Sequence, residues 1–442
     1  MFDKLTKLAE NVAHNRIAEN YIIKVKSGYL YDLRAEIHPI LDEMFSVFPI
    51  FEKIPTELIS YPANLIEKFD MLATLLTRDM VFDLADDRRV EAIFYDKLMY
   101  AFQFPIVPEE GIFTIPVRKG ELTFTTTWFT RYPLGLNKAH GLGYWGRGSK
   151  VAIVDTGCAR WHEQLRGRVK QESAMRGQYT DINGHGTWCA SCIAGYEGID
   201  EAMSRLTGST IRALGMAPEA DVLCIKSLGY GVGVGKTSDI IKGIEIATQS
   251  NVNIISMSLG GDAKEKRPEE DPYHSVMNRI IELGIIPVVA AGNSGPNQNT
   301  ISSPGDLPRV LTVGAYNPLT GEMAGFSSRG PTNWGDIKPD CVAPGVNVYS
   351  GTAGVCDKAE DNRMTGYSPL SGTSMATPHV AGALAIYNQI MVDKLGIFLT
   401  TNEVKKMLEV TATTEKSNDF GWGAPTFDRF EYYLSTEYGV EL

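Results

Sequence analysis

From about residue 148 onward, short continuous apolar runs alternate with stretches whose apolar residues recur at helical spacing. The apolar runs predict strands buried on both faces, and the stretches at 238–249 and 272–283 predict amphipathic helices. This alternation is typical of a parallel sheet covered by helices on both sides, so we predict an α/β domain. Sites in such domains lie at the carboxyl ends of the strands. The predicted strands are 151–154, 222–226, 253–257, 286–291 and 310–314.

The first hundred residues have a different pattern. Residues 21–26 (YIIKVK) and 90–95 (VEAIFY) predict strands, with a charged turn at 85–89 before the second. Residues 64–76 carry apolar side chains at helical spacing and predict a helix. Together these patterns predict a small α+β module with an antiparallel sheet. Residues 102–132 are rich in proline, threonine and aromatic residues and predict a connector with short strands.

Composition narrows the functional classes. The 442 residues include 42 basic and 53 acidic side chains, for a net charge of -11. A chain-wide basic footprint is therefore absent, and we expect no nucleic-acid partner. The hydrophobic fraction of 43% and the charged fraction of 21% are ordinary for a globular chain. No apolar stretch approaches the roughly 20 residues that span a bilayer, so we also expect no membrane partner.

The amino terminus and the cysteines predict a cellular compartment. The first ten residues (MFDKLTKLAE) alternate charge and hydrophobicity and lack the apolar core of a signal peptide. We expect a cytoplasmic location, with release by a non-classical route as the alternative. Six scattered cysteines are too few for a disulfide framework. Cys189 and Cys192 form a single C-x-x-C, for which we favour buried packing thiols over a zinc or redox pair.

Two short motifs carry candidate acid–base groups. The apolar run VAIVD leads directly into Asp155, followed by a glycine turn. The carboxylate would then lie at the carboxyl end of a strand, although a simple turn aspartate has the same pattern. His185 lies in the motif NGHGTW, with glycine on both sides. The glycines leave room for the imidazole, and the alternative is a structural histidine.

A third motif, LSGTSMATPHVAG, places Ser374 just before an apolar helix. Pro378 is expected in the first turn of that helix, where proline is tolerated. A hydroxyl at a helix start lies near free N–H groups and the positive end of the dipole, which suits stabilisation of an oxyanion. The alternative is that Ser374 or Thr373 is only an N-cap. The motif is not the G-x-S-x-G turn of α/β-hydrolases, because Ala376 stands at its last position.

Taken together, the three motifs give the chain order Asp, His, Ser. Over about residues 134–434 the sequence resembles the subtilisin-like serine protease (subtilase) family. That resemblance implies a doubly wound, mostly parallel α/β fold and serine endopeptidase activity. Serine is a weak nucleophile at neutral pH and needs a base, which the resemblance assigns to His185, with Asp155 orienting the imidazole for Ser374. By the same resemblance Asn293, in VVAAGNSG, is the oxyanion-hole side chain; a plain turn is the alternative.

The resemblance also implies where a peptide substrate binds. The substrate would add as a strand between the segment Ser258–Gly260 and the segment 228–233 (LGYGVG). Ser294 stands where many family members carry an acid, and Ser302 where a pocket glycine is usual. We therefore expect an uncharged P1 side chain. The residues assigned to substrate binding are Ser258, Leu259, Gly260, Gly229, Tyr230, Gly231 and Ser294.

The chain departs from the family at its usual structural calcium site. In the loop 208–213, Arg212 stands where glycine is usual, and Gln164 stands where an acid is usual. Calcium prefers several oxygen ligands with carboxylate charge, so these changes degrade the site. We expect no cofactor in the chemistry and no resident metal, with structural calcium left open. The acids of the extra segment 197–205 are expected on a solvated face, the alternative being a cation site.

The amino-terminal module resembles a subtilase propeptide, which implies a chaperone and inhibitor whose tail occupies the active site. We predict a propeptide-like domain over 1–102, a connector over 103–130 with an added hairpin within 111–129, and a catalytic domain over 131–442. Autoprocessing is expected between Tyr100 and Glu110, with the tail ending near Phe102.

Two other functional classes stay open. One is a catalytically silent binding or scaffold protein on the same fold, since fold alone does not give function. The other is an exopeptidase or acyl transferase that uses the same triad. The expected partners are protein or peptide substrates and the chain's own prodomain.

Overall fold

The computed structural model describes residues 19–35, 37, 64–76, 78–101, 113–117, 120–175, 177–229, 231–358 and 364–442. They form two compact units. The first contains the described residues up to Leu98 together with Lys236–Glu245, and the second contains those of Met99–Gly235 and Ile246–Leu442. The domain boundaries at residues 102 and 130 stay a prediction.

The strands alternate with helices along most of the chain. In order, the strands are β1 (Glu19–Val25), β2 (Asn64–Ile66), β3 (Met71–Leu76), β4 (Val90–Tyr95), β5 (Leu98–Ala101), β6 (Phe113–Val117), β7 (Gly120–Thr126), β8 (Lys150–Asp155), β9 (Val169–Ser173), β10 (Gly198–Asp200), β11 (Ile211–Ala213), β12 (Asp221–Lys226), β13 (Val234–Lys236), β14 (Ile254–Met257), β15 (Leu259–Gly260), β16 (Ile286–Ala290), β17 (Leu311–Tyr316), β18 (Cys341–Pro344), β19 (Val348–Gly351) and β20 (Tyr367–Leu370). The α-helices are α1 (Arg78–Ala85), α2 (Thr127–Thr130), α3 (Leu136–Gly141), α4 (His185–Ala194), α5 (Glu201–Thr207), α6 (Thr237–Gln249), α7 (Pro272–Glu282), α8 (Thr373–Leu395), α9 (Thr401–Val410) and α10 (Phe427–Tyr438).

The first unit contains an antiparallel sheet with the strand order β2-β3-β1-β4. This order is that of a ferredoxin-like sheet and agrees with the predicted α+β module. Its core is formed by side chains of the two central strands and their neighbours, including Ile23, Leu33 and Leu72.

The predicted helix over 64–76 is wrong. The chain forms β2, a single 3-10 turn over Glu67–Phe69, and then β3. Asp70 ends the turn with φ 53°, a left-handed conformation that reverses the chain direction. All six residues of β3 are buried, because the strand lies inside the sheet between β1 and β2. A continuous apolar run of this length cannot be told from a helix by periodicity.

The second unit is built around the large parallel sheet that the sequence predicts. Within the described residues, its order is β18-β17-β16-β14-β8-β12-β9. Its neighbouring strands pair in parallel, and all five predicted strands are confirmed to within two residues at each end. β8 is the first strand of this sheet along the chain. The strands β9 and β12 are added on one side of β8, and the later strands β14, β16, β17 and β18 are added in turn on the other side. The carboxyl end of β8 therefore lies where the winding direction changes, which is where open α/β sheets bind ligands.

Two helices of this unit are almost entirely buried. Every residue of α4 is buried, and α8 is buried from Thr373 to Met391. The two predicted amphipathic helices are also confirmed, as α6 and α7. A search of the described helices finds none with the length and apolar character to cross a bilayer.

Smaller sheets lie beside the large one. The predicted hairpin within 111–129 is confirmed as β6 and β7, and β7 continues into a parallel pairing with β19. Strands β10 and β11 form an antiparallel pair. A three-stranded sheet has the order β13-β5-β15, so that β5 is its middle strand.

Candidate active site

Asp155 ends β8 and is fully buried. Its Oδ1 accepts a hydrogen bond from His185 Nδ1 at 2.8 Å and another from Thr156 N at 2.7 Å. Its backbone oxygen accepts from the N–H groups of Ser227 and Leu228. The carboxylate is thus fixed by the strand end that carries it and by the strand next to it.

His185 opens helix α4, and the glycines on either side of it are required by close contacts. A Cβ on Gly184 would collide with the carbonyl of Ala353, and Gly184 has φ 100°. A Cβ on Gly186 would collide with the carbonyl of Gly157. The glycines of the NGHGTW motif are therefore needed because the backbone packs tightly around His185, and not because the imidazole needs space.

Asp181 holds the turn before His185, and the sequence analysis missed it. Its Oδ1 accepts from the N–H groups of Asn183 and Gly184, at 3.1 and 2.8 Å. Its Oδ2 accepts from Thr187 N at 3.0 Å and Thr187 Oγ1 at 2.6 Å. The signal was available, since an aspartate shortly before a predicted helix is a capping candidate.

Burial and charge oppose each other at His185. Burial favours the neutral imidazole, but Asp155, through its charge and its hydrogen bond, and the neighbouring Cys189 together outweigh burial and hold the pKa of His185 well above its ordinary value. A carboxylate only accepts, so the proton on this side belongs to Nδ1, and Nε2 of the neutral ring is the basic nitrogen. Among the residues that the structure describes, Nε2 has no hydrogen-bond partner.

Ser374 is the second residue of α8 and is fully buried. Its Oγ donates to the backbone oxygen of Ser258 at 2.9 Å rather than to His185. The two groups belong to one cluster, because Cys189 Sγ lies 4.0 Å from His185 Nδ1 and 3.8 Å from the Ser374 carbonyl oxygen. The structure thus joins Asp155 to His185 but does not form the bond between His185 and the Ser374 hydroxyl.

The expectation for Pro378 is wrong. It lies at the sixth position of α8, beyond the first turn, where its missing N–H leaves the Ser374 carbonyl without the usual intrahelical donor. Ser258 Oγ donates to that carbonyl instead, at 3.0 Å. The proline therefore frees a backbone acceptor that ties the start of α8 to the segment after β14.

Asn293 lies just beyond the carboxyl end of β16. Its Oδ1 accepts from Thr373 N and from Thr373 Oγ1, both at 2.9 Å. This fixes the amide so that Nδ2 is the end left over, and Nδ2 is buried with no partner in the described part of the chain. Because Thr373 precedes Ser374, a free N–H donor lies beside the serine.

A strand of the chain itself lies against one of the two segments predicted to bind substrate. In β15, Leu259 pairs with Ala101 and Gly260 with Tyr100, antiparallel, so β5 lies against the predicted segment. Ser258 comes directly before β15 and makes two hydrogen bonds with Ser374. Its hydroxyl donates to the Ser374 carbonyl, and its own carbonyl accepts from the Ser374 hydroxyl.

The other predicted edge, 228–233, is wrong by a few residues. The strand on the far side of β5 is β13, over Val234–Lys236. Gly229 and Val234 instead form a bridge that closes a turn, with Gly231 at φ 67° and Gly233 at φ 73°. The glycines thus make the turn rather than the strand, and Tyr230 lies outside the described residues.

The predicted pocket residues Ser294 and Ser302 both follow β16 in the chain. Ser294 is exposed, and its N–H donates to Ser328 Oγ at 3.0 Å. Ser302 is buried, and its hydroxyl occupies the space that a Cβ on Gly292 would need. Gly261 bridges to Ser303, which connects the segment that contains Ser302 to the end of β15.

Residues 146–423, which include all four predicted catalytic positions, match the model of the subtilase family. The chain belongs to the subtilase family. It is 40% identical over 303 residues to "Serine protease AprX" of Bacillus subtilis (strain 168), which covers 63% of this chain and 65% of that protein. It is 36% identical over 281 residues to "Subtilisin DY" of Bacillus licheniformis, covering 63% of this chain and 88% of that protein. It is 35% identical over 273 residues to "Intracellular serine protease" of Paenibacillus polymyxa, covering 58% of this chain and 73% of that protein.

In this subtilase, Gln164 and Arg212, which stand at the usual calcium position, form hydrogen bonds and an ion pair with other residues of the protein. Gln164 Oε1 accepts from Gly351 N at 3.0 Å, and Gln164 Nε2 donates to Tyr196 O at 2.7 Å. Arg212 forms an exposed ion pair with Glu197 at 3.3 Å. An amide with both ends bonded and a cation in the loop do not fit a calcium ligand set.

The prediction of a solvated acidic face over 197–205 is wrong for Asp200. Its carboxylate is buried, caps α5 by accepting from Met203 N at 2.8 Å, and accepts from Tyr349 Oη at 2.6 Å. Glu197 and Glu201 are exposed as predicted. The inserted segment is therefore attached to the protein through one buried acid.

All six cysteines are free and buried, which agrees with packing thiols. Cys189 lies in α4 one turn after His185, and burial raises the pKa of its thiol to about 11. Within the described residues, the one group of acids, histidines and cysteines close enough to share an ion is Asp155, His185 and Cys189. That group is the candidate catalytic pair with the thiol beneath it.

Proposed function

We propose that this subtilase is a serine endopeptidase that uses Ser374 as nucleophile, His185 as general base and acid, and Asp155 as the group that orients His185. The observation that carries the proposal is the buried 2.8 Å bond between Asp155 Oδ1 and His185 Nδ1, with Nε2 left free beside the start of α8. Asn293 is the proposed oxyanion-hole side chain, supported by its fixed Oδ1 and free Nδ2.

The reaction follows from these positions. The Ser374 hydroxyl turns from Ser258 O to His185 Nε2, which takes its proton as Oγ bonds to the substrate carbonyl carbon. The negative carbonyl oxygen accepts from Asn293 Nδ2 and from the Ser374 N–H at the start of the helix. His185 then gives the proton to the leaving amine as the C–N bond breaks. Water repeats the sequence on the acyl-enzyme and releases the acid.

We further propose that the chain is made as a zymogen and cleaves itself. Support comes from β5, which is the middle strand between β13 and β15, and β15 contains Leu259 and Gly260 of the segment predicted to pair with a peptide. The antiparallel register pairs Tyr100 with Gly260 and Ala101 with Leu259. The sequence predicts that the tail ends near Phe102, which lies outside the described residues, one position after the last residue of β5. The proposed scissile bond is therefore Phe102–Gln103, within the predicted interval from Tyr100 to Glu110, and residues 1–102 are the proposed inhibitor.

Labelling and mass spectrometry test these proposals on the full chain. A fluorophosphonate should label wild-type protein on Ser374 and should leave the Ser374→Ala variant unlabelled. Wild-type protein should convert to a species that begins at Gln103, while Ser374→Ala stays at full length. Absence of label on correctly folded wild-type protein would favour the silent scaffold. Label without conversion would retain the peptidase and remove the zymogen proposal.

Product analysis separates the peptidase classes. A peptide blocked at both ends is cut internally by an endopeptidase but resists an exopeptidase. Transfer of the acyl group to an added amine in preference to water would indicate an acyl transferase. Cytoplasmic location also stays a proposal; fractionation of the producing cells tests it.

A further inference from the structure

Lys226 is a buried cation next to the candidate catalytic aspartate. It is the last residue of β12, and the parallel register places it opposite Asp155 at the end of β8. The residue is 2% exposed. Burial of an ammonium group is costly unless it is paired and hydrogen-bonded, so a buried lysine at the end of two strands requires a compensating environment.

Its hydrogen bonds join two parts of the site. Lys226 Nζ donates to Thr156 O at 2.9 Å and to Leu228 O at 3.2 Å. Thr156 directly follows Asp155, whereas Leu228 directly precedes the Gly229–Val234 turn that leads into β13. One ammonium group therefore holds both the turn after the aspartate and the segment that leads to a substrate edge.

The same turn is also connected to the histidine. Thr156 Oγ1 accepts from Gly186 N at 2.8 Å, and Gly186 follows His185 at the start of α4. The backbone N–H groups of Ser227 and Leu228 donate to Asp155 O, at 2.7 and 3.0 Å. The Lys226 contacts thus lie where β8, β12 and α4 meet.

Two carboxylates act on this cation. Burial lowers the pKa of Lys226, and the negative charges of Asp181 and Asp155 oppose that shift. Burial raises the pKa of Asp181, although its hydrogen bonds with Thr187 and Gly184 oppose the rise. The buried charges around the triad are therefore two carboxylates, one lysine and the histidine that must lose and regain a proton.

We propose that Lys226 is a positioning residue for catalysis: its ammonium group holds the Asp155–Thr156 turn in place and balances the charges of Asp155 and Asp181 behind His185. This inference rests on the proposed peptidase function. Loss of the positive charge leaves the two carboxylates to stabilise the imidazolium more strongly, so His185 becomes harder to deprotonate. The Asp181 carboxylate accepts from the N–H groups of Asn183 and Gly184 just before His185, so loss of its negative charge should act on the histidine in the opposite direction.

Lys226→Met removes the charge and keeps most of the side-chain volume, and Lys338→Met is its matched control. Lys338 is also a buried lysine, but its Nζ bonds to Val310 O, Thr312 Oγ1 and Asp340 Oδ2. Both variants are made in the full chain, and kcat and KM for a blocked peptide are measured from pH 5 to 10 together with the unfolding midpoint. Fluorophosphonate titration gives the concentration of folded sites in each sample.

The expected result for Lys226→Met is a fall of about tenfold in kcat at neutral pH and a shift of the acidic limb of kcat upward by about 0.5–1 pH unit. Lys338→Met should lose stability and keep the wild-type limb and the wild-type kcat for each titrated site. Lys226→Arg should return the limb toward the wild-type position. A Lys226→Met enzyme with wild-type kcat and limb would overturn the inference, as would an equal shift in Lys338→Met.

A second variant covers the case in which Lys226→Met does not fold. Asp181→Asn should move the acidic limb to lower pH, opposite to the loss of the lysine. A limb that stays in place or rises would contradict the proposed charge balance. Wild-type protein that neither cuts peptide nor labels on Ser374 would remove the peptidase proposal itself, which is a different outcome from an active wild type with an insensitive Lys226.

Discussion

Ser258 and Ser374 exchange two hydrogen bonds: Ser374 Oγ donates to Ser258 O at 2.9 Å, and Ser258 Oγ donates to Ser374 O at 3.0 Å. The second bond exists because Pro378 cannot supply the N–H that would normally bind the Ser374 carbonyl. The proposed nucleophile is therefore attached to the segment where a substrate strand would pair. Catalysis requires the first bond to break while the second keeps the helix start in place.

Ser258→Ala should destabilise the protein. The change leaves the buried Ser374 carbonyl with only the weak Cys189 thiol donor, at a cost of about 1–3 kcal/mol in the free energy of unfolding. Urea unfolding of the Ser374→Ala background, which cannot digest itself, measures this. Ser256→Ala is the matched control in β14, because the buried Ser256 hydroxyl has no partner in the described structure. Equal losses in the two variants would contradict the assigned role of Ser258.

Asn293→Ala should lower kcat by about 10²–10³-fold, as loss of an oxyanion-hole asparagine does in subtilisin, and should leave KM nearly unchanged. The reason is that Nδ2 is free for an oxyanion that forms only during the reaction. Steady-state kinetics on a blocked peptide measures the effect. Asn388→Ala is the control, since Asn388 is also buried, with Oδ1 bonded to Leu399 N and its Nδ2 without a partner in the described chain. A similar loss of kcat in both variants would remove the oxyanion role.

The parts of the site that could be predicted from sequence are those encoded by local motifs. Asp155, His185 and Ser374 each lie in a short segment that contains glycine or serine. Next to His185, for example, Gly184 and Gly186 contact backbone carbonyls too closely to carry a side chain. The side-chain arrangement around Asn293 could not be predicted, because its Oδ1 partner Thr373 is eighty positions away in sequence. Asp181 could have been proposed as a helix cap, but not as a negative charge that acts on the pKa of Lys226.

The errors in the fold also have physical causes. Residues 71–76 (MLATLL) are apolar except for Thr74, and a strand inside a sheet has the same composition as a buried helix. Asp70 supplies the reversal that separates β2 from β3, and a single left-handed residue leaves little trace in a hydrophobic pattern. The segment 228–233 was expected to be extended, whereas Gly231 and Gly233 form the turn before β13.

The acidic limb of kcat/KM should lie above about pH 6.5, the ordinary pKa of histidine. Asp155 and the neighbouring Cys189 together overcome the effect of burial and raise the pKa of His185, and only the neutral imidazole can take the Ser374 proton. Other buried histidines should not contribute, because burial lowers the pKa of His140 and of His379 to about 4. Asp155→Asn should move the limb down and lower kcat by about 10⁴-fold, as the equivalent change does in a trypsin triad.

The same raised pKa has a consequence for stability. Protonation of His185 stabilises the folded state fully below the unfolded pKa of about 6.5, and this contribution is lost as pH rises through the higher folded-state value. Unfolding of the Ser374→Ala variant between pH 6 and 10 measures it, with Asp155→Asn added as the control that removes the effect. A wild-type limb at or below pH 6.5 that does not respond to Asp155→Asn would contradict the assignment of the base.

We predict that calcium does not stabilise this subtilase through the site usual in its family. Gln164 already binds Gly351 N and Tyr196 O, so the position of the missing acid is filled by protein hydrogen bonds. Millimolar calcium or excess chelator should change the unfolding temperature of Ser374→Ala by less than about 1 °C, with magnesium as the control for ionic strength. Gln164→Ala should cost about 1–3 kcal/mol in stability, because Gly351 N is left buried without its acceptor. A calcium-specific rise of several degrees in wild-type protein, lost in a variant of Glu197 or Glu201, would instead place a cation at the inserted segment.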